Sequence, residues 1–171
     1  MQSVGVAGLA DWRRAARRLI GQGVSPADIV FTAQGQDGLF APLSDEGPPP
    51  TFRVPADFLA LAEDVSMHRS PTRWALLYRT LYRLVHGERH LLEIIVDPDV
   101  RELSLLQKAV RRDIHKMHAF VRFRKVEGAE PEQFVAWHRP DHLIVERVGP
   151  WFAKRFGAMH WAILTPDQSV Y

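Results

Sequence analysis

Ala119-Phe120-Val121-Arg122-Phe123-Arg124 follows directly on Arg111-Arg112-Asp113-Ile114-His115-Lys116-Met117-His118, so a basic helix runs into a basic, aromatic strand. On an alternating strand Phe120, Arg122 and Arg124 project to one face while Ala119, Val121 and Phe123 project to the other, leaving one side to pack and one to bind. The segments Phe120 to Val126 and Gln133 to Trp137, separated by a loop containing Gly128 and Pro131, are predicted to form an antiparallel pair. The preceding helix spans about Glu102 to His118. It buries Leu103, Leu106, Val110, Ile114 and Met117, and sets Lys108, Arg112 and Lys116 at i, i+4 and i+8 on another face. Helices leading into an antiparallel sheet near the C-terminus give an α+β fold.

Toward the N-terminus, Val4-Gly5-Val6 reads as a strand, Leu9 to Gly21 as a helix and Asp28 to Thr32, entered through Ser25-Pro26, as a second strand. This is a β-α-β module over residues 1–44, in which Leu9, Trp12, Ala16, Leu19 and Ile20 share one helix face and Arg13, Arg14, Arg17 and Arg18 occupy the sides and back. Gln34 to Gly38 is turn material, and a proline-stiffened connection over 45–54 separates the module from an α+β domain over 55–171. Pro55-Ala56-Asp57 opens a helix. Ser70-Pro71 starts another, with serine at the cap and proline at the first helical position, and Trp74, Leu77, Tyr78, Leu81, Leu84 and Val85 follow its core face. Leu91 to Val96 suits either a strand or a continued helix, and Asp97-Pro98-Asp99 interrupts it. Pro140-Asp141 opens a further helix that Gly149-Pro150 should break, with a short helical turn at Trp151 to Phe156 and a last strand at His160 to Thr165.

A chain of 171 residues with 46% hydrophobic and 25% charged content can bury a core without staples. It contains no cysteine, which excludes thiol catalysis and cysteine metal sites and fits a reducing cytoplasm. No apolar run approaches the roughly 20 residues of a membrane span, and the N-terminus lacks a signal-type core, so a cytoplasmic location and no membrane partner are expected. Net charge is only +2. Attraction to phosphate must therefore come from the local clusters at Arg13 to Arg18 and Arg111 to Arg124.

Eight histidines include His86/His90 and His138/His142 at i, i+4 and His115/His118 at i, i+3, but none has the further ligands a zinc site needs, so no metal is expected. No cofactor motif is present either, nor a nucleophile elbow or phosphate-binding loop. His138, Asp141 and His142 read as polar groups at a strand-to-helix junction, suited equally to capping, to phosphate contact or to acid/base chemistry. Gly35-Gln36-Asp37 and His68-Arg69-Ser70-Pro71 each share a few letters with loops of uracil-DNA glycosylases. The first lacks the proline and tyrosine that should follow and the second reads as a helix entrance, so neither is taken as catalytic.

The runs Arg112-Asp113-Ile114-His115-Lys116-Met117, Ala119 to Arg124 and Ala136-Trp137-His138-Arg139-Pro140-Asp141-His142 resemble an uncharacterised bacterial family described as a "probable DNA metabolism protein". Arg155-Phe156, Trp161 and Ile163-Leu164-Thr165-Pro166 continue the resemblance, as do Trp12-Arg13, Ala16-Arg17 and Arg73 to Tyr78. What the resemblance implies is context rather than activity: such domains stand beside a radical-SAM protein, or precede a uracil-DNA glycosylase domain of the type that crosslinks to uracil-containing DNA. The expected function is a nucleic-acid-binding accessory domain in DNA repair. Arg112, Lys116, Phe120, Arg122 and Arg124 would contact DNA, with His115, His138 and His142 lining the same concavity. Two rivals stand beside it: an enzyme on nucleic acid or a modified nucleotide using Asp113, His115, His138 or His142 as acid or base, and a module docking a repair partner through Trp151 and Phe152.

Overall fold

The computed structural model describes residues 1–33 and 52–171, which pack as two compact units. One comprises Met1–Ser66 and Ser70–Gln107, the other Met67–Arg69 and Lys108–Tyr171. The turn at Gln34 to Gly38, the Gly35-Gln36-Asp37 fragment and most of the 45–54 connection lie outside the described residues.

In the first unit, β1 (Gln2–Val6) and β2 (Ile29–Ala33) pair in parallel with Val4 opposite Phe31, and α1 (Leu9–Gly21) makes the crossover. The apolar stripe buries Trp12, Ala15, Ala16, Leu19 and Ile20. The helix is stopped by Gly23, whose φ of 66° lets its N–H reach the Ile20 carbonyl and the Val24 N–H reach that of Leu19. Of the α1 cations, Arg13 pairs with Glu63 at 3.1 Å and Arg14 with Asp11 at 2.5 Å. Helices α2 (Ala56–Ser66) and α3 (Arg73–Val85) close the same core: Trp12 stacks on Trp74 at 6.1 Å and meets Phe58 at 6.5 Å, and the Tyr78 hydroxyl donates to the Val24 carbonyl at 2.8 Å. The described residues of the β-α-β segment thus share one core with α2 and α3.

Several boundaries depart from expectation, each for a local reason. Ser70 does not cap α3. Its hydroxyl accepts from the Thr72 N–H at 3.3 Å in a turn, and the helix begins at Arg73. Leu91 to Val96 is neither strand nor continued helix but a single 3-10 turn, Leu91–Glu93, after which Ile95 and Val96 are exposed. Asp97-Pro98-Asp99 initiates the long helix α4 (Pro98–Phe120): the Asp97 carboxylate accepts the N–H groups of Asp99 and Val100 at 2.9 and 3.2 Å, and proline takes the first helical position. Arg79 and Arg83 bind the carboxylates of Asp97 and Asp99 across this cap.

In the second unit the sheet order is β3 (Arg124–Lys125), β4 (Gln133–Trp137), β5 (His160–Leu164) and β6 (Ser169–Val170). β3–β4 and β5–β6 are antiparallel, whereas β4–β5 is parallel and joined through α5 (Val145–Arg155), so the sheet is mixed. Ala136 and Ile163 lie opposite each other and pack with Val110, Met117, Val121, Ile144, Val148 and Phe152. Pro150 sits inside α5 rather than ending it. Its exposed position puts the Glu146 carbonyl, which loses its intrahelical donor, on the solvent side. Pro140-Asp141 opens no helix; α5 starts at Val145. The strand expected over Phe120 to Val126 shrinks to Arg124–Lys125, because the stripe Ile114, Met117, Val121 keeps helical spacing and carries α4 on to Phe120. Among the described residues no helix is long and apolar enough to cross a membrane.

Candidate nucleic-acid interface

From Lys108 onward α4 has two chemically distinct sides. Val110, Met117 and Val121 are buried, whereas Lys108, Arg112 and Lys116 are exposed at i, i+4 and i+8. Because the helix continues, Phe120 takes the next i+4 place on that stripe and is 66% exposed, instead of lying beside Arg122 and Arg124 on a strand. Arg122 folds back to donate from Nη1 to the carbonyls of Ala119 (2.7 Å) and Val121 (3.1 Å), satisfying acceptors at the helix end. Arg124 is exposed on β3, and its neighbour Lys125 is ion-paired with Glu132. Over Val121 to Arg124 the inward and outward alternation is retained, with Val121 buried, Phe123 half-buried and both arginines exposed.

The histidine candidates divide. Asp113, only 3% exposed, accepts the backbone N–H of His142 at 2.8 Å, and the His142 ring lies 4.2 Å from that of His68. Lys116 Nζ is 3.4 Å from Asp141 Oδ2, Arg69 Nε donates to the Asp141 carbonyl at 3.0 Å, and the Arg69 guanidinium pairs with Asp167. The Met67 carbonyl accepts from Leu143 N–H at 2.9 Å. The 138–144 loop is thus held between α4 and the short Met67–Arg69 strap, which explains why it is not helical. Two positions beyond Asp113, His115 points about 200° away on the exposed side of α4. His138 directly follows β4 and donates its backbone N–H to the Leu164 carbonyl at 3.1 Å. Of the acid/base candidates, then, Asp113 and His142 are brought together, through the His142 backbone rather than its ring. Among the described residues no three His, Asp or Glu side chains are grouped to hold a metal ion.

His142 is held below the usual imidazole range chiefly by burial, an effect reinforced by Arg69 and Lys116 and opposed by Asp113 and Asp141. Its Nδ1 is buried without a hydrogen-bond partner among the described residues. A depressed folded value means that the unfolded chain takes the proton first, so this group's contribution to stability is present above pH 6.5 and is lost as pH falls through the folded value. The expected NMR titration places the His142 ring midpoint below 6.5, and a His142→Gln variant loses less stability than the parent on acidification from neutral pH. A midpoint at or above 6.5 would contradict this assignment.

Trp151 and Phe152 have different surroundings: Trp151 is 41% exposed and Phe152 only 1%. Phe152 is buried at the centre of an aromatic cluster with Phe123, Phe156 and Trp161, while Trp151 stacks on His118 at 4.1 Å. His68 and Arg69 also belong to the loop-holding cluster, a role the His68 to Pro71 run does not reveal because the partners Asp141 and Asp167 stand 72 and 98 residues away from Arg69.

Residues 71–171 match a family described as a domain of unknown function, DUF4130. The chain belongs to this family. No curated protein and no solved structure matches it. The DUF4130 region takes in α3, α4, α5 and the four-stranded sheet, and with them Arg112, Lys116, Asp141 and His142; the His68-Arg69 strap lies just before it.

Proposed function

We propose that this DUF4130 protein is a nucleic-acid-binding accessory domain in DNA repair, acting beside or fused to a uracil-DNA glycosylase or a radical-SAM protein. The observation that carries the binding reading is the exposed Lys108, Arg112, Lys116 line on α4, ending in exposed Phe120 and followed by Arg122 and Arg124. Cations spaced one helical turn apart suit successive backbone phosphates, and such contacts supply affinity without reading sequence. Asp113 is the carboxylate of that helical segment, and it is turned inward onto the His142 backbone, so it does not cancel the exposed charge. The repair context rests on the resemblance carried by the Arg112 to Met117 and Ala136 to His142 runs.

The binding reading is tested by replacing Arg112 and Lys116 together with glutamine. Both are exposed, so the melting temperature should hardly move. DNA affinity measured by fluorescence anisotropy at low salt should fall by roughly tenfold or more. An unchanged affinity would show that the helix stripe is only a solvated face. The enzymatic alternative has one observation in its favour, the partly buried His142 imidazole beside His68 and the Lys116–Asp141 pair.

A further inference from the structure

The sheet of the second unit has one packed face and one open face. Alternation along the strands puts Ala136, Trp161, Ile163 and Val170 on the side that packs with Phe152 and Met117. The same register puts Gln133, Val135 and Trp137 of β4 on the other side, directly beside His160, Ala162 and Leu164 of β5, with Arg124 of β3 opposite Val135. Trp137 is 65% exposed there, an unusual position for the largest apolar side chain on a central strand. Arg124 lies diagonally from it across β3 and β4, about 7 Å away in such pairings and within reach of a long side chain. The small side chains Val135 and Ala162 leave the middle of this face low. At its far end a cleft of about 300 Å³ opens over Gln133 and His160.

We infer that this open sheet face binds single-stranded nucleic acid, with an unpaired base stacked on Trp137, a neighbouring base seated toward Gln133 and His160, and Arg124 on the intervening phosphate. The inference rests on the nucleic-acid reading and narrows it to the single strand. Each part follows from chemistry: an indole offers an unpaired base a stacking partner whatever its identity, the Gln133 amide and His160 imidazole can meet base edges, and Arg124 can hold a phosphate oxygen. A duplex keeps its bases stacked on one another and cannot use the platform. The face fits a polyanion, because among the described strand residues the register aligns Arg124 there and no Asp or Glu.

The test uses the full chain, a fluorescein-labelled thymidine oligonucleotide and a labelled duplex of equal length. Trp137→Ala is expected to weaken single-strand binding about tenfold or more, to leave duplex binding and melting temperature unchanged, and to remove part of the tryptophan quenching on titration. Trp137→Phe should keep most of the affinity, since a smaller ring still stacks. If Trp137→Ala binds the oligonucleotide as the parent does while the Arg112/Lys116 double variant is impaired, the sheet-face assignment is overturned and the helix-stripe reading stands. If neither nucleic acid binds at low salt, both fall.

Discussion

Phe152→Ala is expected to destabilise the C-terminal unit by about 4 kcal/mol, the range found when a fully buried phenylalanine is truncated and its surroundings relax only in part. Phe152 is 1% exposed and meets Phe123 and Phe156 at 6.3 and 6.1 Å, Trp161 at 6.2 Å and Trp151 at 4.9 Å. These rings come from the segment after α4, from α5 and from β5, so the ring of Phe152 ties together the elements that carry the proposed interface. Urea unfolding followed by tryptophan fluorescence measures the effect. A loss under about 1 kcal/mol would mean that the ring is not central to the core, and would favour a docking role for the Trp151-Phe152 pair.

Trp12→Ala should cost a similar amount, about 4 kcal/mol, in the other unit. The indole is 2% exposed, stacks on Trp74 and donates from Nε1 to the Trp74 carbonyl at 3.1 Å. Truncation removes the packing and the Nε1–H bond to a helix carbonyl, whereas Trp12→Phe keeps much of the packing and should cost clearly less. The pair of variants asks whether the β-α-β segment is integral to the core made with α2 and α3. An alanine variant as stable as the parent would mean that residues 1–33 are an appendage.

The elements that could be read from the sequence were those in which periodicity and local chemistry agree. Helix α1 lies where the sequence places it, near Leu9 to Gly21, because Trp12, Ala16, Leu19 and Ile20 recur at helical spacing before a glycine stop. Strands β4 and β5, with their β-branched and aromatic content, were placed within a residue. Failures occurred where one signal has two meanings. Asp97-Pro98 reads as an interruption, but aspartate then proline is also a helix start, and the Arg79 and Arg83 partners that favour the latter are set by tertiary packing. Pro150 reads as a breaker, yet its place on the solvent side of α5 lets the helix continue. The parallel β4–β5 pairing depends on α5 acting as a crossover and cannot be read from either strand alone.

The candidate site was legible as a list and illegible as a geometry. Arg112, Lys116 and Arg124 were singled out by charge and are exposed, but Phe120 was assigned to the wrong element, and Arg122 spends hydrogen bonds on the end of its own helix. Asp113 reads as a candidate acid or base; in the fold its carboxylate accepts the backbone N–H of His142, 29 residues on. Trp137 was visible as a letter in the Ala136 to His142 run, but its exposure follows only from the sheet register and from which face the helices cover.

The central claim is that the chain binds nucleic acid through phosphate contacts, and the most direct test is fluorescence anisotropy of the unmodified protein with labelled DNA at increasing salt. If about four phosphates are neutralised, the binding constant should fall on the order of 100-fold between about 50 and 200 mM salt, linearly on a log–log plot. Absence of binding to single- or double-stranded DNA at low salt would contradict the claim, and binding that does not change with salt would replace the phosphate-contact account with a pocket for a small nucleotide.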